Sequence, residues 1–317
     1  MPSEGSHTLP SPHNKNKGNP DMTRISSLAW GALACALVSA KALAVDVNAG
    51  DYTALPPGTN VAAWYQQFSR ADRFNGDGAP DATHSTRLRS NISILRLIHF
   101  TEIGGITVDP QILLPFGHVY DVKVGGQSLG SNSGMADPII GATFWLVNQP
   151  GVGASGRYFG ITPLLYLPWG QYDRDAGVNL GENRWKGDLQ LGWVEPLWGR
   201  WSMEWYADAV FYGSNDKAGS GSQTLRQDPT YQLQTNLRYD FNPAQRLALG
   251  FSASEGGKQH LSGDYTRQKT EVQQVRLEFQ QMVGQTVQLS GQLTHDTRVI
   301  GGFQEDTGVN LRALLLF

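Results

Sequence analysis

The segment Val309-Asn310-Leu311-Arg312-Ala313-Leu314-Leu315-Leu316-Phe317 decides the reading of this chain. Apolar side chains stand at 309, 311, 313, 315 and 317, with Asn310 and Arg312 between them. A period of two marks a β-strand whose faces meet different surroundings. Working back, Val287, Leu289, Gly291 and Leu293 alternate with Gln288, Ser290, Gln292 and Thr294. Val275, Leu277 and Phe279 alternate with Gln274, Arg276, Glu278 and Gln280, and Tyr231 to Phe241 and Trp201 to Phe211 repeat the scheme. The spacing predicts twelve strands, at 60–69, 85–100, 103–116, 134–148, 157–168, 184–196, 200–213, 229–241, 245–255, 268–282, 285–297 and 305–317. The division of 85–116 falls at Glu102–Gly104.

The connections alternate as well. Long ones are expected near 70–84, 117–133, 169–183, 214–228, 256–267 and 298–304, with short ones between. The long ones are rich in Gly, Asp, Asn and Ser, as in Arg73-Phe74-Asn75-Gly76-Asp77-Gly78. Short turns at one end and long loops at the other are the asymmetry of a bacterial outer-membrane barrel. In hydrocarbon every unpaired backbone N–H or C=O costs several kcal/mol, so such a sheet must close on itself. Its lipid face must be apolar with aromatic girdles, and Trp185, Trp193, Trp201, Trp205, Tyr239 and Phe241 fall on that parity. The fold expected is therefore an all-β, single-domain, transmembrane antiparallel β-barrel of residues 60–317. Phe317, a terminal aromatic on an alternating strand, reads as the signal to the barrel-assembly machinery.

Composition agrees. Of 317 residues, 17% are charged and 37 are Gly, while Trp, Tyr and Phe number 9, 11 and 12, too many for a disordered chain. A net charge of −3 gives no nucleic-acid footprint. The mean hydropathy of −0.33 argues against a helical membrane bundle.

Residues 1–21 are polar and patternless and read as a disordered upstream extension. Residues 22–44 have the form of an export signal: Arg24, an apolar stretch, and Ala42-Leu43-Ala44 at the expected cleavage site. Cys35, the one cysteine, lies within it and is a poor match to a lipidation site. Removing 1–44 takes Lys15, Lys17, Arg24 and Lys41 from 25 basic residues and Glu4 and Asp21 from 28 acidic ones, leaving 21 against 26. Residues 45–59, with Pro56-Pro57, cannot be a central strand. They read first as a periplasmic lead-in, with a small plug inside the lumen as the alternative.

The stretch Asp51-Tyr52-Thr53-Ala54-Leu55-Pro56-Pro57-Gly58-Thr59-Asn60 resembles the opening of an outer-membrane family named for the meta-pathway of phenol degradation (MetA-pathway). The resemblance continues through Ile103-Gly104-Gly105, Pro110–Gly117 and Gly134-Met135-Ala136-Asp137-Pro138. It implies a barrel in the bacterial outer membrane for passive or facilitated uptake of small apolar or aromatic compounds. It brings no catalytic motif and no assigned ligand residues.

Candidate lumen residues on the inward parity are Arg87, Arg89, Lys186, Asp188, Glu204, Tyr206, Asp208, Arg238, Asp240, Arg276, Glu278 and Arg312. They read first as mutually paired braces of a narrow barrel, and alternatively as a solute-selecting lining. Tyr158, Tyr166, Phe144, Tyr206 and Tyr212 fall on the same parity and could form an apolar path, although a one-residue slip would turn them to lipid. Two other functions compete: an outer-membrane hydrolase and a structural barrel with a sealed lumen. A hydrolase needs Ser and His within hydrogen-bond reach of one another. The nearest pattern is His260-Leu261-Ser262, in a polar loop, and His295 and Asp296 take opposite parities. No enzyme is expected. The histidines His84, His99, His118, His260 and His295 have no metal-ligand spacing, and no cofactor is expected. The expected partners are outer-membrane lipid, the assembly machinery and a small solute, with a monomer favoured because one chain can close a barrel.

Overall fold

A computed structural model describes Met1, residues 38–39, 45–78, 81–219 and 221–317. The expected extension and export signal thus lie outside the described residues, apart from Met1 and Val38–Ser39, which pairs in parallel with Val178–Asn179. All regular structure among the described residues is strand.

Twelve long strands form the barrel: β1 (Asn60–Asn75), β2 (Arg87–His99), β3 (Ile106–Val124), β4 (Ile139–Gln149), β5 (Arg157–Tyr166) and β6 (Lys186–Pro196). They continue as β7 (Trp201–Tyr212), β8 (Thr230–Asn242), β9 (Gln245–Gly256), β10 (Thr270–Val283), β11 (Val287–Ile300) and β12 (Gly302–Leu316). Sequential strands pair antiparallel, and β12 returns to β1 in the register Val61↔Leu316 to Asn75↔Gly302. Asn60 and Phe317 clasp the seam by exchanging backbone hydrogen bonds of 2.8 and 3.0 Å. No edge is left, which is what hydrocarbon demands of a sheet.

The faces are inverted relative to a soluble protein. Leu233, Leu249, Leu277 and Leu293 point outward and are exposed, while Gln232, Gln234, Asn236 and Arg238 point inward and are buried. Alternation needs this when lipid lies outside. Aromatic contacts gather where the girdle was expected: Trp201 meets Tyr239 at 4.8 Å, Tyr239 meets Phe241 at 5.1 Å, and Phe159 meets Trp193 at 5.6 Å.

Three boundaries differ from the sequence reading. β3 runs on to Val124, turns at Gly125-Gly126 with positive φ, and returns as Gln127–Met135, so the expected loop 117–133 is a hairpin. β4 begins at Ile139 rather than 134, after Pro138, which has no N–H for the ladder. The expected long loop 298–304 shrinks to a turn at Gly301, where φ is +90° and a Cβ would meet the Lys269 carbonyl oxygen at 2.2 Å. Elsewhere the long loops fold on one another: Asn215–Ala218, Gln223–Gln227, Gln259–Leu261 and Asp264–Tyr265 form a small sheet over the barrel mouth.

Candidate solute path

The lumen is occupied by the chain's own segment 45–55. Val47, Ala49, Tyr52 and Ala54 are buried in it. Pro56-Pro57-Gly58 turns the chain from the periplasmic rim into β1, and the Gly58 N–H, at φ +93°, donates to the Phe100 carbonyl at 2.7 Å. Inside, the segment leaves no strand pairing to satisfy its backbone, so inward side chains do it. The Gly50 N–H donates to the Glu204 carboxylate at 3.0 and 3.1 Å, and the Ala49 N–H to Glu278 at 3.1 Å. The Ala49 carbonyl accepts from Gln280 at 2.7 Å, and the Val45 carbonyl from Gln190 at 3.0 Å.

Charges complete the docking. Asp51 accepts from Arg312 and, at 3.4 Å, from Arg96; Asp46 accepts from Arg276 at 2.8 Å. Tyr52 lies over a flat floor made by the cross-strand pair Gly160↔Gly192, where a Cβ on Gly192 would sit 2.1 Å from its ring. Its hydroxyl reaches Thr162 at 2.7 Å and Gln190 at 3.0 Å, and its ring meets Tyr206 and Trp145 at 5.3 and 5.5 Å.

Above this segment lies a cavity of about 390 Å³. Val45–Asn48 form its floor. Leu88, Ile92, Ile94, Leu113, Val119 and Phe74 line one side; Gln274, Gln292, Thr294, Ser290 and Asn310 line the other. Its charged lining groups are partnered: Arg96 and Arg312 by Asp51, Lys269 by Asp77 and Glu271, and Lys186 by Glu182. Asp137 accepts from the N–H groups of Gly170 and Glu182 at 2.9 and 2.8 Å. Burial disfavours ionisation of Glu182, but Lys186 and Arg184 outweigh it and hold the carboxyl down at about 2.

Of the residues expected to point inward, Lys186, Asp188, Glu204, Tyr206, Asp208, Arg238, Arg276, Glu278 and Arg312 are buried in the lumen. Glu204 binds Arg238 and takes the Tyr206 hydroxyl at 2.6 Å, and Arg238 also reaches Asp240 at 3.3 Å. Arg87 and Arg89 are placed otherwise. Leu88, Ser90 and Ile92 of β2 line the cavity, so the two arginines take the outward parity, and exposed Arg87 pairs with Asp121 at 2.8 Å. Phe144 likewise faces outward, and its neighbour Trp145 points in, donating to Asp109 at 2.9 Å. Tyr158, Tyr166 and Tyr206 are buried on the inward face, and Tyr212 lies under Arg184. His260 contacts the Tyr265 ring at 5.5 Å, while Ser262 occupies a left-handed turn beyond it. Among the described residues no group of His, Cys, Asp and Glu is arranged to hold a metal.

Sequence reasoning missed Arg96, Glu182 and Asp109, and treated Asp46, Asp51 and Tyr52 as lead-in. The available signal was two acidic residues, Asp46 and Asp51, in a segment that precedes a barrel with arginines on its inward parity.

Residues 71–313 match the family described as "Putative MetA-pathway of phenol degradation". The chain belongs to this family. The COG4313 outer membrane channel from Pseudomonas putida F1 is similar to it at 34% identity, over 86% of this chain and all of that one, with a TM-score of 0.80. The β-domain of the Bordetella autotransporter BrkA matches at 10% identity and TM-score 0.46, over 83% of this chain and 100% of that one. A TodX monoaromatic hydrocarbon channel mutant matches at 9% and 0.40, over 83% and 90%. No curated protein matches the chain. The phenol-degradation family member is thus an outer-membrane β-barrel channel protein. Its motif Asp51–Asn60 comprises the end of the lumen segment, the Pro56-Pro57-Gly58 turn and the first residue of β1, and Gly134–Pro138 carries the Asp137 carboxylate beside the cavity.

Proposed function

We propose that this protein admits small, neutral aromatic or apolar molecules through the outer membrane, with the cavity as the entry site and residues 45–55 as a plug below it. The cavity carries this reading. One wall is aliphatic, the other offers amide and hydroxyl groups, and its lining charges are engaged with one another. A site of this size suits a single ring. An anion would find no free cation among these partnered groups, so a ring that bears a hydroxyl fits better than one that bears a carboxylate. The similarity to an outer membrane channel and the family's phenol-degradation description point the same way.

The test is uptake by proteoliposomes containing residues 45–317, offered radiolabelled phenol, benzoate and glucose. Phenol is expected to enter fastest, benzoate slowly and glucose no faster than into empty vesicles. Equal entry of all three would overturn the selectivity, and no entry of any would favour the sealed structural barrel.

A further inference from the structure

Among the described residues, two buried carboxylates in the lumen form no salt bridge. Asp188 is 3% exposed, and neither of its oxygens accepts from a side chain. Asp208, on the adjacent strand, is 4% exposed; its Oδ1 accepts from Gln190 at 2.6 Å, and its neighbours Gln190 and Gln234 are neutral amides. The cations nearby are committed elsewhere. Lys186 bonds Glu182 and lies 4.3 Å from the Tyr166 ring centre, and Arg276 is held by Asp46, Gln234, Ser252 and Gln274. An ionised carboxylate buried without a partner costs several kcal/mol, so each of these two needs either a proton or a cation.

The group that faces Asp188 is the backbone nitrogen of Val45. Gln190 links Val45 to Asp208, donating to the Val45 carbonyl at 3.0 Å and to the Asp208 carboxylate at 2.6 Å. The Val45 side chain packs with Leu113, Ile139, Leu164 and Tyr166, which fixes that nitrogen in place. In an uncut chain it is an amide and carries no charge. Yet Ala42-Leu43-Ala44 immediately precedes it and has the form of an export cleavage site. Val45–Asn48 also floor the cavity, so this nitrogen lies at the start of the segment below the solute space.

We propose that cleavage between Ala44 and Val45 creates a buried ammonium lock: the new α-amino group of Val45 binds between Asp188 and Asp208 and fastens the plug. Water adds across the peptide bond, the carboxylate leaves on Ala44, and the amine stays on Val45 and takes up a proton. The co-reactant is water and the agent a protease of the export route. A free α-amino group titrates near 8, and two carboxylates beside it favour its charged form. Processing thereby supplies the missing cation. The inference rests on the plug reading, but its test does not measure flux.

The full precursor is expressed with its signal, extracted from outer membranes and checked for folding by heat-shifted gel mobility. Intact mass is expected to place the first residue at Val45. The folded barrel is then treated with an amine-reactive ester, and the N-terminal peptide is examined by mass spectrometry. Loss of Val45 labelling in the folded wild type, with full labelling after denaturation, is the expected result. In Asp188→Asn/Asp208→Asn the folded barrel should label at Val45. A second variant keeps both aspartates and inserts one alanine between Ala44 and Val45; its amine, displaced by about 3.8 Å, should also label. A different first residue, labelling of the folded wild type, or continued protection in both variants would each overturn the lock. Plug failure is read separately, as unchanged current on deleting the segment.

Discussion

At the scale of single residues the plug depends on a missing side chain. Gly192 has ordinary strand backbone, so its role is space rather than conformation: it lets the Tyr52 ring lie flat against the wall. Gly192→Ala puts a methyl group inside that ring. The barrel ladder does not need Tyr52, so the ring and its segment should lift away while the fold survives. The expected cost is about 1–3 kcal/mol of overpacking, seen as faster proteolysis within 45–59 with unchanged gel mobility. Undiminished protection of that segment would show that Tyr52 is not seated there. Asp51 is the electrostatic counterpart. Asp51→Asn leaves Arg96 and Arg312 buried without their carboxylate, a loss of about 3–5 kcal/mol for removing one member of a buried pair. It should therefore release the segment more completely than the glycine change, measured by the same proteolysis.

At the scale of elements, legibility in the sequence follows what each strand faces inside. β6 to β12 were readable because they meet polar contents: Gln232, Gln234, Arg276 and Glu278 alternate cleanly with lipid-facing leucines and aromatics. β2 to β4 were not, because Ile92, Ile94, Leu113 and Val119 point inward to line the cavity, and both faces are then apolar. The register of Arg87, Arg89 and Phe144 slipped by one residue for this reason. Blurred alternation is thus a mark of the cavity wall. Replacing Ile92 and Ile94 with Gln should weaken phenol uptake by at least about tenfold, given roughly 1.5–3 kcal/mol for each buried aliphatic side chain, with the fold intact by gel mobility. Equal uptake would remove that wall from the path. The loop layer above responds to pH. Glu182 has its carboxyl lowered from 4.5 to about 2, so its ion pairs support the fold above the ordinary value. That support is lost as pH falls from about 4.5 to about 2. Pepsin cleavage within 167–185 should rise steeply over that window, whereas in Glu182→Gln, which has no carboxyl to titrate, it should already be high at the upper end of the window. Cleavage that does not vary with pH there would exclude the Glu182 pairs as the fastening.

At the scale of the whole molecule, barrel closure and plug docking are separate constructions. Every barrel strand is paired on both sides, with β1 and β12 joined along their length, and none of that pairing uses residues 45–55. The segment contributes two carboxylates, Asp46 and Asp51, which neutralise Arg276, Arg96 and Arg312 in the lumen. Deleting 46–55 should therefore leave a folded barrel whose interior fills with water and gains positive charge. Water would resolvate the freed arginines, so the buried-charge penalty that a single substitution incurs is largely relieved here. In a planar bilayer the deleted form is expected to show larger current steps than residues 45–317. Under a KCl gradient its reversal potential should shift toward that of chloride, because a narrow low-dielectric lumen amplifies a fixed charge. Restoring the electrical balance with Arg276→Gln and Arg312→Gln in the deleted form should reverse most of that shift without reducing the current. An unchanged step size on deletion would mean that ions never pass where the segment lies, and the plug would then be a brace of the wall rather than its gate.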